Sequence, residues 1–258
     1  MSLSLCTDAL VLSLLPPERI ASVTYLSRSS SNSALADQAR KVGVNYGTAE
    51  EVLAQKPDLM IAGTYTTAAT RRLLKRMGAP LIELPPAEDF DQIRAVTREL
   101  GTAVGETARS EALIAHMDAT LAQLARTRPS RRIAVVGWDG GGSVPGKGTL
   151  FDAILTAAGG VNVAADMHGA RSGSFDLEQL LTAHPDVLAY GDANADKPAL
   201  RTIAAQHPIL RRLYAGRRVV YPELLYSCGI PQSADAAVAL RRALLAATAP
   251  RTAHGTAP

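Results

Sequence analysis

Apolar residues along the chain fall into short runs bounded by Pro, Gly and charged positions, and these runs alternate with segments of helical period. Glu50 to Gln55 reads as a short helix, Lys56-Pro57-Asp58 as its stop and turn, and Leu59 to Gly63 as a strand that is apolar on both faces. The same succession returns without gaps from Glu178 to Gly191, with Pro185-Asp186 at the turn and Val187 to Gly191 as the strand. Each copy is followed by an amphipathic segment, Arg71 to Met77 and Ile209 to Tyr214. Each of these leads through Gly to another apolar strand, Pro80 to Leu84 and Arg218 to Tyr221. Alternation of this kind in both halves argues for two α/β lobes of related design. The repeat is too long for a solenoid, so it reads as a duplicated lobe.

Between the halves, Glu106 to Arg126 carries apolar residues at helical spacing with no Gly or Pro inside it. A helix of that length is about 30 Å long at roughly 1.5 Å per residue, enough to span both lobes. The predicted fold is therefore α/β: two Rossmann-like lobes with central, mostly parallel sheets, joined by one long rigid helix, with a ligand cleft between them. The expected boundaries are 1–104 for the first lobe, 105–128 for the linking helix and 129–258 for the second lobe. Met1-Ser2-Leu3 reads as the start of the first lobe's first strand. Arg132 to Trp138 is the second lobe's first strand; a Gly-rich loop, Asp139 to Gly148, and a helix, Thr149 to Ala158, follow it. Gly159-Gly160 suits a left-handed cap of that helix. Asp235 to Ala247 reads as the last helix and Thr248 to Pro258 as a frayed tail.

Composition narrows the function. The chain has 258 residues, 47% of them hydrophobic, which is enough for real cores. Its net charge of +3 is small and scattered, with no basic run interleaved with aromatics, so no nucleic-acid partner is expected. No stretch is long and apolar enough to cross a bilayer, and Ala9 to Leu15 stops at Pro16-Pro17. The start lacks the pattern of a secretory leader, which fits a cytosolic chain or a mature domain whose leader was removed. Cys6 and Cys228 make neither a disulfide framework nor a zinc site, so each reads first as a small buried hydrophobe.

Chemical motifs are sparse. Gly141 to Thr149 nearly matches a phosphate-binding loop, but Gly148 stands where Ser or Thr must follow Lys147, and Pro145 removes a backbone donor. A nucleotide- or phosphate-dependent α/β enzyme using residues 141–149 is the alternative of another class. The five histidines, His116, His168, His184, His207 and His254, lack metal-ligand spacing, and Cys228 has no neighbouring base to make it a nucleophile. No catalytic residue, metal site or cofactor is expected. What remains are residues at predicted strand ends, where open α/β sheets bind ligands. They are Cys6, Thr7 and Asp8; Tyr25, Leu26, Ser27 and Arg28; Tyr46; Gly63, Thr64, Tyr65 and Thr66; Trp138 and Asp139; Tyr190; and Tyr226, Ser227 and Cys228. Of one Trp and seven Tyr, six fall at such ends, and aromatics with a polar tip favour half-wet sites. Lys147 and Arg171 join Arg28 as basic residues near the expected cleft. Cys6 after the first strand and Cys228 after the last strand are expected to face that cleft, and to approach each other or share the ligand.

The chain resembles the ABC-importer substrate-binding proteins of the cobalamin, ferric-siderophore and haem type, the helical-backbone class III. Pro17 to Val23, Lys56 to Gly63, Gly148 to Asp152, Ala157 to Val163, Leu177 to Leu180 and His184 to Leu188 carry the resemblance in order along nearly the whole chain. It implies a non-enzymatic periplasmic or lipid-anchored receptor, its leader absent from this sequence, that delivers a small molecule to a permease in the inner membrane. A monomer is expected. The family docks through an acidic residue on each lobe, and Thr64 to Arg72 has no carboxylate. The basic set favours an iron-siderophore ligand slightly; the Tyr and Trp set suits a corrinoid or haem.

Overall fold

A computed structural model describes residues 1–30, 33–138, 143–166, 172–174, 177–191, 207–221 and 224–249. The chain divides into two compact units, Met1–Gln123 with Pro222–Asp235, and Leu124–Tyr221 with Ala236–Pro258.

In the first unit, β1 (Ser22–Thr24) pairs in parallel with β2 (Gly43–Asn45), and β3 (Met60–Gly63) with β4 (Leu81–Leu84). Met1–Leu3, expected as a full strand, makes only a one-residue bridge between Ser2 and Ile61. Its backbone nevertheless serves both pairs: the Ser2 N–H donates to the Ser22 carbonyl at 3.0 Å, and the Leu3 N–H to the Ile61 carbonyl at 2.9 Å. All these carboxyl ends thus point to one edge. The extended stretch is cut short because α1 (Leu5–Leu14) begins at once. This helix is buried along nearly all its length, as an apolar run with no polar stripe must be. Cys6, Thr7 and Asp8 therefore lie in its first turn and not in a strand-end loop. The unit also contains α2 (Ala36–Ala39), α3 (Ala49–Gln55), α4 (Ala68–Arg76) and α5 (Phe90–Ala103). The predicted long helix is present as α6 (Thr107–Arg126), and the division between the units falls within it, after Gln123.

In the second unit, β5 (Ile133–Gly137), β7 (Gly160–Asn162), β9 (Val187–Gly191) and β10 (Arg218–Tyr221) form one parallel sheet in the order β10-β9-β5-β7. Helices α7 (Leu150–Ala158), α8 (Leu177–Ala183) and α9 (Pro208–Leu213) accompany it. Gly159 caps α7 with φ +91°, the left-handed cap the sequence predicts. The Gly-rich segment is not simply a loop: β6 (Ser143–Pro145) pairs antiparallel with β8 (Ser172–Ser174). Arg241 closes the base of this unit. It is buried and donates to the Leu124 and Thr127 carbonyls at the end of α6 and to the Ala157 and Ala158 carbonyls at the end of α7. One guanidinium thus satisfies the orphan carbonyls and opposes the negative dipole ends of two helices.

The C-terminal part of the chain is shared. α10 (Leu224–Ser227) and the segment to Asp235 belong to the first unit, and α11 (Ser233–Thr248) leads back to the second. Cys228, expected in the second lobe, is thus in the first. It forms a disulfide with Cys6, their Cα atoms 5.0 Å apart and 222 residues distant in sequence, and no free cysteine remains. The reading of both as separate buried hydrophobes is corrected by this bond. Gly229 follows because the Ala87 carbonyl leaves no room for a side chain; a Cβ would sit 2.2 Å from that oxygen.

The duplication reaches the backbone. The only non-glycine residues with positive φ among those described are Lys56 (47°) and His184 (45°), which occupy equivalent places in the two copies, each before Pro-Asp. A left-handed L-residue costs about 1–2 kcal/mol, which glycine avoids at some entropic cost. Lys56→Gly and His184→Gly should therefore each stabilise the protein by roughly 0.5 kcal/mol in urea unfolding, whereas the alanine variants should not.

Candidate functional site

The carboxyl-end edge of the first unit is built around Asp8. Its side chain has no exposed surface, and Oδ2 accepts three donors: the Thr24 N–H at 3.0 Å, the Thr24 hydroxyl, and the Ser27 hydroxyl at 2.6 Å. Thr24 ends β1, and Ser27 lies in the 3-10 turn Tyr25–Arg28. One buried carboxylate therefore sets the turn that presents Tyr25. Burial raises the Asp8 pKa, opposed by hydroxyls of Ser2, Ser27 and Thr24 and the Thr24 N–H.

Two more turns are fixed in the same way. The Asn45 amide donates to the Ser2 carbonyl at 2.9 Å and to the Ser22 hydroxyl at 3.0 Å, and its Oδ1 accepts from the Gly47 N–H at 3.0 Å. The Glu51 carboxylate, part of the Thr48 capping box, accepts from the Tyr46 N–H at 2.8 Å. After β3, the buried Thr66 hydroxyl donates to the Leu3 carbonyl at 3.0 Å and accepts from the Gly63 N–H at 3.2 Å. This tight turn leaves Thr64 and Tyr65 at its outer face.

The result is an aromatic shelf on one unit. Tyr25 and Tyr46 stack with ring centroids 5.1 Å apart and planes 26° from parallel, yet are 50% and 66% exposed; Tyr65 is 80% exposed. Exposed tyrosine faces at the carboxyl edge of a parallel sheet offer a flat apolar surface with polar tips.

The other expected site residues behave differently. Thr7 is buried, its hydroxyl bonded to Ser2 and Ser4. Arg28 is half-buried, and its guanidinium donates to the Val42 carbonyl, which makes it a brace of the turn. Tyr226 and Cys228 are buried and Ser227 is exposed, all in the first unit. In the second unit, Trp138 and Tyr190 pack in a core cluster with Val136, Leu188 and Tyr214. Burial raises the Tyr190 pKa, opposed by Arg218, whose guanidinium lies 4.5 Å from the ring centroid. The Trp138 indole N–H is buried with no hydrogen-bond partner among the described residues. Lys147 is exposed; Asp139 and Arg171 lie outside the described residues.

Around Lys147 the geometry speaks against a phosphate cradle. The Gly148 N–H donates to the Asp152 carboxylate at 3.2 Å, and Thr149 caps α7 by accepting from the Asp152 N–H at 3.3 Å. A carboxylate thus lies where a phosphate would need bare N–H groups. Sequence reading missed the positioning roles of Asp8, Thr24, Asn45 and Thr66. The available signal was one carboxylate among closely spaced Ser and Thr at the start of an apolar run.

Open parallel α/β sheets bind ligands outside the carboxyl ends of their strands, where these tyrosines follow β1, β2 and β3. The periplasmic binding protein family model matches residues 3–218, and the chain belongs to that family. Proteins of this family bind small-molecule ligands and deliver them to ABC permeases. Two curated relatives, described as cobalamin-binding proteins of Halobacterium salinarum strains R1 and NRC-1, are each 30% identical over 152 residues. That match covers 57% of this chain and 41% of each relative, so less than half of their length is spanned. Among solved structures, a periplasmic heme-binding protein of Roseiflexus sp. RS-1 superposes with a TM-score of 0.78 at 21% identity, over 95% of this chain and 97% of that one. The periplasmic vitamin B12 binding protein of Vibrio cholerae gives 0.69 at 18% identity, over 96% and 97%. These likenesses establish the fold.

The raised Asp8 pKa carries a sign that can be measured. A carboxyl whose folded pKa lies above its unfolded value binds its proton more tightly when folded. Its contribution is thus fully present below the ordinary carboxylate range and is lost as pH rises through the folded pKa. Asp8→Asn should remove this slope: relative to it, the unsubstituted protein should lose stability as pH is raised from the ordinary carboxylate range, as read by urea unfolding across pH. A constant difference between the two proteins would contradict it.

Proposed function

We propose that this chain is the solute-binding component of an ABC importer and that it captures a flat metal-bearing macrocycle of the cobalamin or haem class. The observation that carries this reading is the stacked, exposed Tyr25–Tyr46 pair, with Tyr65 exposed at the turn after β3. Stacked phenol faces match a planar ring, and their hydroxyls can reach polar substituents at its rim. The cobalamin-, heme- and vitamin B12-binding proteins named above support the same ligand class.

A ferric siderophore is the second reading, because Lys147 remains available to pair with an anionic chelate. Its support is thinner than the sequence suggested, since Arg28 is turned to a backbone carbonyl. The role is transport and not catalysis. A periplasmic location is supported by the Cys6–Cys228 disulfide, a bond that persists in oxidising compartments.

Thermal shift with cyanocobalamin, haemin and a ferric-siderophore panel tests the reading. A ligand at a hundred times its Kd should stabilise the fold by about 2.7 kcal/mol and raise the melting temperature. Tyr46→Ala should weaken macrocycle binding about tenfold, the loss of one stacking face. Stabilisation by ferric siderophores alone would favour the second reading; stabilisation by none of the three would sink both.

A further inference from the structure

The two sulfurs of the Cys6–Cys228 disulfide differ in how they meet solvent. Cys228 is buried, and the open space beside it is a gap of ≈ 10 Å³ among Leu5, Ala9, Leu35, Leu225 and Ile230, at most the room of one water. An incoming thiol has no path to that sulfur while the return segment, Pro222–Asp235, stays in place. Cys6 is only half-buried, in the first turn of α1. Thiol–disulfide exchange requires a thiolate to reach a sulfur directly, so attack is confined to Cys6.

Cys6 also stands where the reduced form is favoured. It is the second residue of α1, and the N-cap Ser4 makes no side-chain hydrogen bond to the first turn, which leaves the positive end of the helix uncovered by a cap. A thiolate at such a place is stabilised, and a disulfide whose reduced form is stabilised is easier to open. Asp8, the acidic residue of the same turn, has its Oδ2 taken up by donors of Thr24 and Ser27. The segment that Cys228 anchors has little regular structure to hold it. It pairs with no strand among the described residues, and α10 within it has four residues, too few for a helix to persist alone. The Ser233 hydroxyl donates to the Leu225 carbonyl at 3.2 Å and accepts from the Ile230 N–H at 3.3 Å. These bonds tie the segment to itself and not to α1.

We infer that the Cys6–Cys228 bond is a thiol-exchange site, entered at the Cys6 sulfur, at which a dithiol reductant releases the return segment from α1. One thiolate of the reductant attacks Cys6 Sγ. A mixed disulfide forms there, the Cys6–Cys228 bond breaks, and the electron pair leaves on Cys228 Sγ, which takes up a proton. The second thiolate of the reductant then attacks its own sulfur in the mixed disulfide, forms the reductant's internal disulfide and expels Cys6 as a thiolate, which is protonated in turn. Two thiols of the reductant are oxidised as the two cysteines are reduced. In an oxidising compartment the bond rests closed, and the reductant opens it. The turn that presents Tyr25 is held by Asp8, Thr24 and Ser27, none of them in the return segment, so opening the bond frees that segment and leaves the turn in place. The device does not depend on what the shelf binds.

The test uses the native, full chain. After brief exposure to glutathione and alkylation of free thiols, mass spectrometry should find glutathione on Cys6 and the alkyl group on Cys228. Dithiothreitol should open the bond in the folded protein at a rate within about tenfold of that in the urea-unfolded chain. Hydrogen exchange of the reduced protein should quicken about tenfold or more at residues 225–232 and stay unchanged at 24–28, and reoxidation should reverse the change. The double variant Cys6→Ala/Cys228→Ala should show the same quickened exchange with no glutathione adduct. Glutathione found on Cys228, a bond that dithiothreitol opens only after unfolding, or unchanged exchange at 225–232 on reduction would each overturn the inference. Loss of the whole fold on reduction would overturn it too, since the bond would then be a structural crosslink and not a latch on one segment.

Discussion

Asp8 has no contact with bulk water, and three hydrogen-bond donors converge on one of its oxygens. Burying a carboxyl group is tolerable only when donors replace its hydration, so the donors must stay where they are. They belong to Thr24 and Ser27, and this fixes the end of β1, the turn after it and the direction of Tyr25. From the last turn of α1, Ser13 keeps the return segment close: its hydroxyl lies 3.3 Å from the Gln232 amide. The Cys6–Cys228 bond ties the same helix to that segment covalently, closing a loop of 222 residues. A crosslink over such a loop removes denatured-state entropy worth on the order of 5 kcal/mol. One short helix start therefore holds both the shelf and the return of the chain.

The two units solve the same backbone problem and then diverge in what they expose. Helix, left-handed residue, Pro-Asp turn and buried strand occur in both, with Lys56 and His184 carrying the strained backbone. At the strand ends, the first unit turns its tyrosines outward, whereas the second folds Trp138 and Tyr190 into its core beside Tyr214. Small buried hydroxyls occupy the space under the first unit's turns, so its aromatic rings have no place inside. Among the described residues of the second unit, no Ser or Thr hydroxyl is buried. The shelf therefore belongs to one unit because of the polar side chains beneath it.

Much of this was readable from the chain. Strands β3, β5, β9 and β10 follow from apolar runs bounded by Pro and Gly, and α6 from helical spacing without a breaker. The start was ambiguous for a physical reason: the polar residues of Leu5 to Leu14 form no stripe, and periodicity cannot separate a buried helix from a buried strand in so short a run. The location of Cys228 was not legible, because no local pattern records that a segment 222 residues on returns to the first unit. The tyrosine positions were legible as strand ends, but their exposure was not, since Tyr46 and Tyr190 differ only in what packs around them.

Hydrogen exchange of the protein with and without cyanocobalamin or haemin bears most directly on the shelf. The account predicts that ligand slows exchange at residues 24–28, 44–48 and 63–66, the turns that hold Tyr25, Tyr46 and Tyr65. Binding of either macrocycle that leaves those three turns unchanged, with protection confined to other segments, would contradict it.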